Sequence, residues 1–241
     1  MKILALESSG LVASVAVMEG DNLLGEYTMN YKKTHSQTLL PMLQALTEMI
    51  ELDLNTIDAI AVSKGPGSFT GLRIGSATAK GLGLALNKPI IPVPTIDALA
   101  YNLWGTDKLI CPLMDARRQQ TYTGLYTMEQ GRLVTILEQC AVDISEIVDK
   151  VNATGKAVVF LGDGVPVFAE YIQQNLTVPY EFAPAICNRQ RAASVAALAQ
   201  ELYTQGVVET AAEHKPDYLR LSQAERELAE RNFGDGKDFT I

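Results

Sequence analysis

Four short segments carry residue types that can do chemistry. The first is Glu7-Ser8-Ser9-Gly10. A carboxylate at a strand end followed by a turn of small residues can hold Mg²⁺ and nucleotide phosphates, because backbone N–H groups in such a turn face the anion. The second is Asp115-Ala116-Arg117-Arg118, whose arginines can grip a phosphate or a carboxylate. The third is the glycine-rich run Lys64-Gly65-Pro66-Gly67-Ser68-Phe69-Thr70-Gly71, between an apolar stretch and a helix start, where anions bind readily. The fourth is His35. Each has a plainer alternative. Glu7 and Asp115 can simply close strand ends beside hairpins, and Arg117-Arg118 can be a solvated turn. The glycines are spaced G-x-G-x-x-x-G with no G-K-[ST] ending, so they do not make a Walker phosphate loop. His35 has Thr38 and Leu39 where a second helical metal ligand would sit, and His214 is far off in sequence, so no metal site is expected.

The helices that flank these segments carry a different signal. Gly71, Gly75, Ala79 and Gly83 form one ridge of small residues at i, i+4 spacing, and Ala77, Gly81 and Ala85 form a second. A glycine inside a helix costs about 1 kcal/mol relative to alanine, so such ridges point to another backbone approaching closely. The preceding helix, capped by Thr34 or Ser36, has an apolar face wider than one stripe: Leu39, Leu43, Leu46 and Ile50, with Met42 and Met49 alongside. Two explanations fit that width, a docking surface for another chain and burial within the protein.

Composition limits the function classes. The chain has 241 residues, 47% hydrophobic and 20% charged, which suits a folded protein with a sizeable core. A formal net charge of −8 argues against a protein that coats nucleic acid unaided. Three cysteines without a C-x-x-C pair fit a reduced, cytoplasmic setting. The apolar start breaks at Glu7, so neither a signal peptide nor a membrane span is expected.

Element order sets the fold class. Apolar and alternating runs at Ile3–Leu6, Val12–Met18 and Leu23–Met29 predict three strands before the first helix. A strand at Ile57–Val62, a helix to about Leu86, a strand at Ile90–Val93 and a short helix capped by Thr95 follow. From Leu109 the same order repeats: three strands, a helix from Asp143, a strand at Ala157–Leu161 and a helix over Val165–Gln174, with a further alanine-rich helix at Ala192–Tyr203. A Rossmann domain would alternate strand and helix from the start. Two copies of a βββαβα plan predict an α/β protein of the actin, Hsp70 and sugar kinase superfamily, with two lobes flanking a cleft. The expected boundaries are a first lobe over 1–105, completed by a C-terminal helix over 216–232, a smaller lobe over 106–210, and a flexible tail over 233–241.

The run His35-Ser36-Gln37, Leu39-Leu40-Pro41-Met42-Leu43, the stretch from Gly65 to Gly75, then Ala79-Lys80-Gly81-Leu82, Asp115-Ala116-Arg117-Arg118 and Pro216 with Tyr218-Leu219-Arg220 resemble the bacterial TsaB family. The resemblance covers most of the chain and is loosest from Val142 to Glu209. It implies the actin-like fold and a part in making N6-threonylcarbamoyladenosine in tRNA, on the adenosine beside the anticodon. It further implies a non-catalytic subunit that pairs with a TsaD-like transferase, is joined by a TsaE-like ATPase, meets tRNA only through that complex, and forms a homodimer when alone. No cofactor and no membrane partner are implied. TsaD-like proteins carry a metal-binding H-x-x-x-H, which here stops at His35 because Leu39 takes the second place. Gly162-Asp163-Gly164 is the nearest trace of an adenosine-binding glycine pair, and Glu7 stands where Asp is more usual.

The resemblance turns the helices toward an interface formed by His35, Leu39, Met42, Leu43, Leu46, Gly71, Ile74, Gly75, Thr78, Ala79 and Leu82, where each buried leucine or methionine would contribute roughly 1.5–3 kcal/mol. On that expectation Gly75→Leu or Met42→Asp abolishes pairing while the monomer stays folded. A weaker expectation places a nucleotide against Glu7, Ser8, Ser9, Gly65, Gly67, Asp115 and Arg117. Two rival classes remain: an actin-like kinase or ATPase using Glu7, Asp115 and the Gly65–Gly71 turn, and a metallopeptidase-like enzyme, against which the missing partner of His35 weighs.

Overall fold

The computed structural model describes residues 1–220. The expected helix over 216–232 lies outside the described residues except for 216–220, which are irregular, and the expected tail lies outside them entirely.

The first sheet contains β1 (Lys2–Glu7), β2 (Ala13–Glu19), β3 (Asn22–Met29), β4 (Ala59–Gly65) and β5 (Ile90–Pro94), in the order β3-β2-β1-β4-β5. β1 pairs antiparallel with β2 and parallel with β4, which puts it in the middle. Its sequence is apolar on both faces because both are covered. Leu4 and Leu6 face α1 (His35–Met49) and α2 (Phe69–Leu86), while Ile3 and Ala5 face the opposite layer.

The second sheet contains β6 (Leu109–Asp115), β7 (Gln120–Glu129), β8 (Arg132–Asp143), β9 (Val158–Leu161) and β10 (Tyr180–Phe182), in the order β10-β9-β6-β7-β8. α4 (Ile144–Thr154) and α5 (Val165–Asn175) cover one face through Ile147, Val151, Phe168 and Ile172. α3 (Thr95–Tyr101) covers the other through Ile96, Leu99 and Ala100, and so joins the lobes. Two lobes, each built on three strands, a helix, a strand and a helix, make the α/β, actin-like fold that the element order predicts.

Three details differ from expectation. α6 (Ala192–Thr204), assigned by position to the second lobe, packs on the first sheet: Ala192, Val195, Ala196 and Ala199 lie against Ile3, Ala5, Ala16, Ala61 and Ile91. The small side chains on both sides allow close approach, and Ala192 N donates to Ser14 Oγ at 3.0 Å to seat the helix. Thr95 does not cap α3. It is the helix's first residue, and its hydroxyl accepts from Gly65 N at 3.2 Å. β10 closes the edge of the second sheet from a segment too short to show a strand pattern.

Candidate functional site: the interlobe cleft and the outer helical face

A cleft of about 600 Å³ opens between the lobes. Its walls are the Ser9-Gly10-Leu11 turn after β1, the α2 start from Gly67 to Thr70, the β6–β7 hairpin at Asp115–Arg117, Asp163 after β9, and Asp217–Arg220. Of the residues expected to bind nucleotide, Ser9, Gly67, Asp115 and Arg117 line this space. Glu7, Ser8 and Gly65 lie behind its wall.

Glu7 is 1% exposed. Its Oε1 accepts from Ser9 N at 2.6 Å and from Ser9 Oγ at 2.5 Å, and its Oε2 accepts from Ser63 Oγ. Burial pushes the carboxyl above its ordinary range, and the serine hydrogen bonds pull it back only in part. The group ties β1 to β4 and shapes the turn. It is not turned to a phosphate, which corrects the expected role. Ser8 Oγ likewise faces inward, donating to Gly71 O at 2.9 Å.

The glycine spacing has its own explanation. A Cβ on Gly67 would stand 2.3 Å from Ser9 O, one on Gly71 2.1 Å from Ser8 O, and one on Gly75 2.4 Å from Ser8 Oγ. The turn after β1 therefore rests directly on the first two turns of α2, and Ser68 N donates to Ser9 O at 2.6 Å. Gly83 closes the same ridge near Ala211 and Ile90. The first small-residue ridge belongs to the protein's own core.

On the second lobe, Asp115 Oδ1 accepts from Arg117 N at 2.8 Å. Arg117, Arg118 and Gln119 follow one another with φ of 67°, 56° and 62°, a left-handed run that L residues rarely hold. Asp163, noticed in the sequence only as part of a glycine pair, lines the cleft, and its carboxyl is pushed up by burial and by Asp115 against the pull of Arg189 and Arg117. Gly162, at φ 111°, lets the chain pass within 2.1 Å of Leu113 O as measured from an added Cβ, so this pair is packing too. Asp115, Asp163 and Asp217 set three carboxyl groups against the guanidinium groups of Arg117 and Arg220.

The helical face also needs correction. Leu39, Met42, Leu43 and Leu46, expected at an interface, are between 1% and 7% exposed and pack under α1 on Leu4, Val15, Val17 and Val62. Gly71, Gly75 and Ala79 are buried as well, whereas Ile74, Thr78 and Leu82 are half-exposed on the flank of α2. His35, half-buried, donates from Nε2 to Gly10 O at 2.8 Å and pins α1 to the turn. Neither Gly75→Leu nor Met42→Asp would leave the lobe intact. What faces outward is the other ridge. Ala77, Gly81 and Ala85 are exposed, and a Cβ added to Gly81 would meet nothing within 4 Å among the described residues. Leu84 beside them is 70% exposed. On α1, which packs next to α2, Leu40 is 55% and Met49 83% exposed, with Ala45 exposed between them. Among the described residues no three His, Cys, Asp or Glu side chains gather as a metal site, and no helix is long and apolar enough to cross a membrane.

Fold and site together describe an actin-like, two-lobed protein whose first-strand carboxylate is sealed and whose α2 helix turns one ridge of small residues inward and the other outward. Comparison with known proteins narrows this. Residues 22–228 match the family model "TsaD: tRNA N6-adenosine threonylcarbamoyltransferase". The chain is 33% identical to the tRNA threonylcarbamoyladenosine biosynthesis protein TsaB of Bacillus subtilis over 95% of this chain and 99% of that protein. The TsaB protein of Haemophilus influenzae is 29% identical over 91% and 94% of the two chains. YeaZ from Pseudomonas aeruginosa, a solved structure, superposes with a TM-score of 0.78 at 25% identity, over 90% of this chain and 99% of that one. The chain belongs to the TsaB family, and so to tRNA threonylcarbamoyladenosine biosynthesis.

Proposed function

We propose that the chain is a non-catalytic subunit of the machinery that attaches the threonylcarbamoyl group to the adenosine beside the tRNA anticodon, and that it acts in the cytoplasm by pairing with and activating a TsaD-like transferase. The observation that carries this reading is the exposed Ala77–Gly81–Ala85 ridge. Gly81 sits in a helix interior where it destabilises the monomer, and a Cβ added to it would meet none of the described residues within 4 Å. Such a residue makes sense where a second backbone is to come close. Leu84 beside it, with exposed Met49 on the adjacent helix α1, supplies apolar area for association. Sealing of the Glu7 carboxyl speaks for chemistry carried out by the partner rather than by this chain. In the same reading a TsaE-like ATPase joins the pair, tRNA is met through the complex, and two copies pair through this face when the transferase is absent.

The test is co-expression with the transferase, mass determination of the complex, and a tRNA modification assay with each component omitted. The expected result is a defined complex, and modification that needs both proteins. Modification or ATP turnover by the isolated chain, abolished by Glu7→Ala, would overturn the reading.

A further inference from the structure

Beyond α6 the described chain runs along α2 and reaches the other lobe at Arg220. Ile90 and Glu209 exchange two backbone hydrogen bonds of 2.8 Å. His214, 1% exposed, is held from both sides: Nε2 lies 3.0 Å from Ser76 Oγ on α2, and Nδ1 lies 2.9 Å from Glu209 Oε2. Lys80, also on α2, donates from Nζ to the carbonyls of Ala212 and His214.

After His214 the anchoring changes character. Asp217 N donates to Lys64 O at 2.6 Å. Beyond it the attachments among the described residues are made by side chains at the surface. The Tyr218 ring stacks on Phe69 at 4.4 Å, Arg73 lies 4.0 Å from the centre of the Phe69 ring, and Arg73 Nε donates to the Tyr218 hydroxyl at 3.3 Å. The Arg220 guanidinium crosses to the second lobe and donates to Ala116 O. Tyr218 is 37% exposed and lines the cleft. One end of the segment is therefore buried and bonded through backbone, and the other is exposed and held by contacts that can break one at a time. The latch lands on the β6–β7 hairpin, directly before its three left-handed residues, in a turn closed locally by Gln120 N donating to Arg117 O at 3.1 Å and Ala116 N to Gln120 O at 2.9 Å.

We infer that residues 209–220 form a hinged strap, pinned at His214 and latched at Tyr218 and Arg220, which holds the β6–β7 hairpin against the start of α2 and sets how far the cleft opens. The strap needs no partner chain, so it stands or falls apart from the pairing proposed above. It gives the cleft a movable wall made from the same chain. Arg220 and the Tyr218 stack are the contacts that release, and the buried histidine is the point at which release stops.

Hydrogen exchange followed by mass spectrometry on the full chain tests this. Tyr218→Ala and Arg220→Ala are expected to raise exchange at least ten-fold at Asp217 and at the hairpin amides of Ala116 and Gln120, leaving β4 and the interior of α2 at wild-type rates. His214→Ala is expected to add the Glu209 amide to the released set. Hairpin amides unchanged in both latch variants would overturn the inference. So would acceleration that spreads equally into β4 and α2, since the segment would then be core and not strap. Should Tyr218→Ala fail to fold, Arg220→Ala, which removes a single interlobe bond, decides alone.

Discussion

Gly81→Gln separates stability from pairing. Gly81 lies inside α2, is exposed, and has open space where a Cβ would go. Replacing a helix-interior glycine with a good helix former contributes up to about 1 kcal/mol, from a less flexible unfolded chain. In a domain of this size that raises Tm by roughly 2–4 °C. The same side chain stands on the ridge where a partner helix is proposed to pack. Overfilling a close contact costs roughly 1–3 kcal/mol, about 5- to 150-fold in Kd at 1.4 kcal/mol per decade. Scanning calorimetry on the isolated chain and titration calorimetry against the transferase read the two effects. Because a homodimer on this face would itself add stability, the thermal scans are run over a range of concentrations, and the gain is expected in full at the lowest. Gly75→Ala is the control. Its Cβ would lie 2.4 Å from Ser8 Oγ, so it lowers Tm. A Gly81→Gln chain that binds the transferase with unaltered Kd would refute the docking face, and one that melts below wild type would refute the packing on which it rests.

Other perturbations divide along the same lines. Met49→Asp, on a side chain 83% exposed, is expected to move stability by less than about 0.5 kcal/mol and to weaken pairing, whereas Met42→Asp, at 3% exposure, buries an unpaired carboxylate and yields insoluble protein in a solubility assay. Glu7 titrates above its ordinary 4.5 in the folded chain, so the folded state holds the proton longer than the unfolded one and stability drops as pH rises from about 4.5 through the folded pKa. Glu7→Gln removes that loss. Its urea midpoint relative to wild type should climb across this window and then level off, and a difference independent of pH would contradict the assignment. Tyr126→Phe takes away the 2.7 Å hydrogen bond to Asp97, leaving a carboxyl already raised by burial without that donor. A loss of about 1–3 kcal/mol in denaturant unfolding is expected.

What could be read in the sequence follows from how local each signal is. Three strand runs before the first helix are a property of consecutive residues, and they set the two-lobed plan. The home of α6 is not local. Ala192, Val195, Ala196 and Ala199 make a face that suits any flat apolar sheet, and only Ala5, Ala16 and Ala61, far away in the chain, select the first one. The glycines of α2 announced a close approach but not whose backbone arrives. For Gly71 and Gly75 it is the chain's own turn, and for Gly81 none of the described residues arrives. The exposed ridge was visible at its spacing, yet buried and exposed faces of one helix could not be told apart until the sheet was in place. Asp163 gave no signal beyond one acid between two glycines, and Tyr218-Leu219-Arg220 stood out only as part of the family resemblance, which says nothing of where an irregular segment lies against the fold.

α6 also has a consequence for how the polypeptide is made. The inner face of the first sheet, with Ile3, Ala5, Ala61, Ile91 and Val93, is covered only in part, by α3 through Ala98, until the ribosome has released the segment from Ala192 onward. The whole second lobe is translated in between. At roughly 5–20 residues per second, the nascent amino-terminal half presents a partly bare greasy surface for on the order of ten seconds. Chaperone demand should therefore peak late in synthesis, and a stop codon ahead of Ala192 should leave an aggregating fragment rather than half a protein.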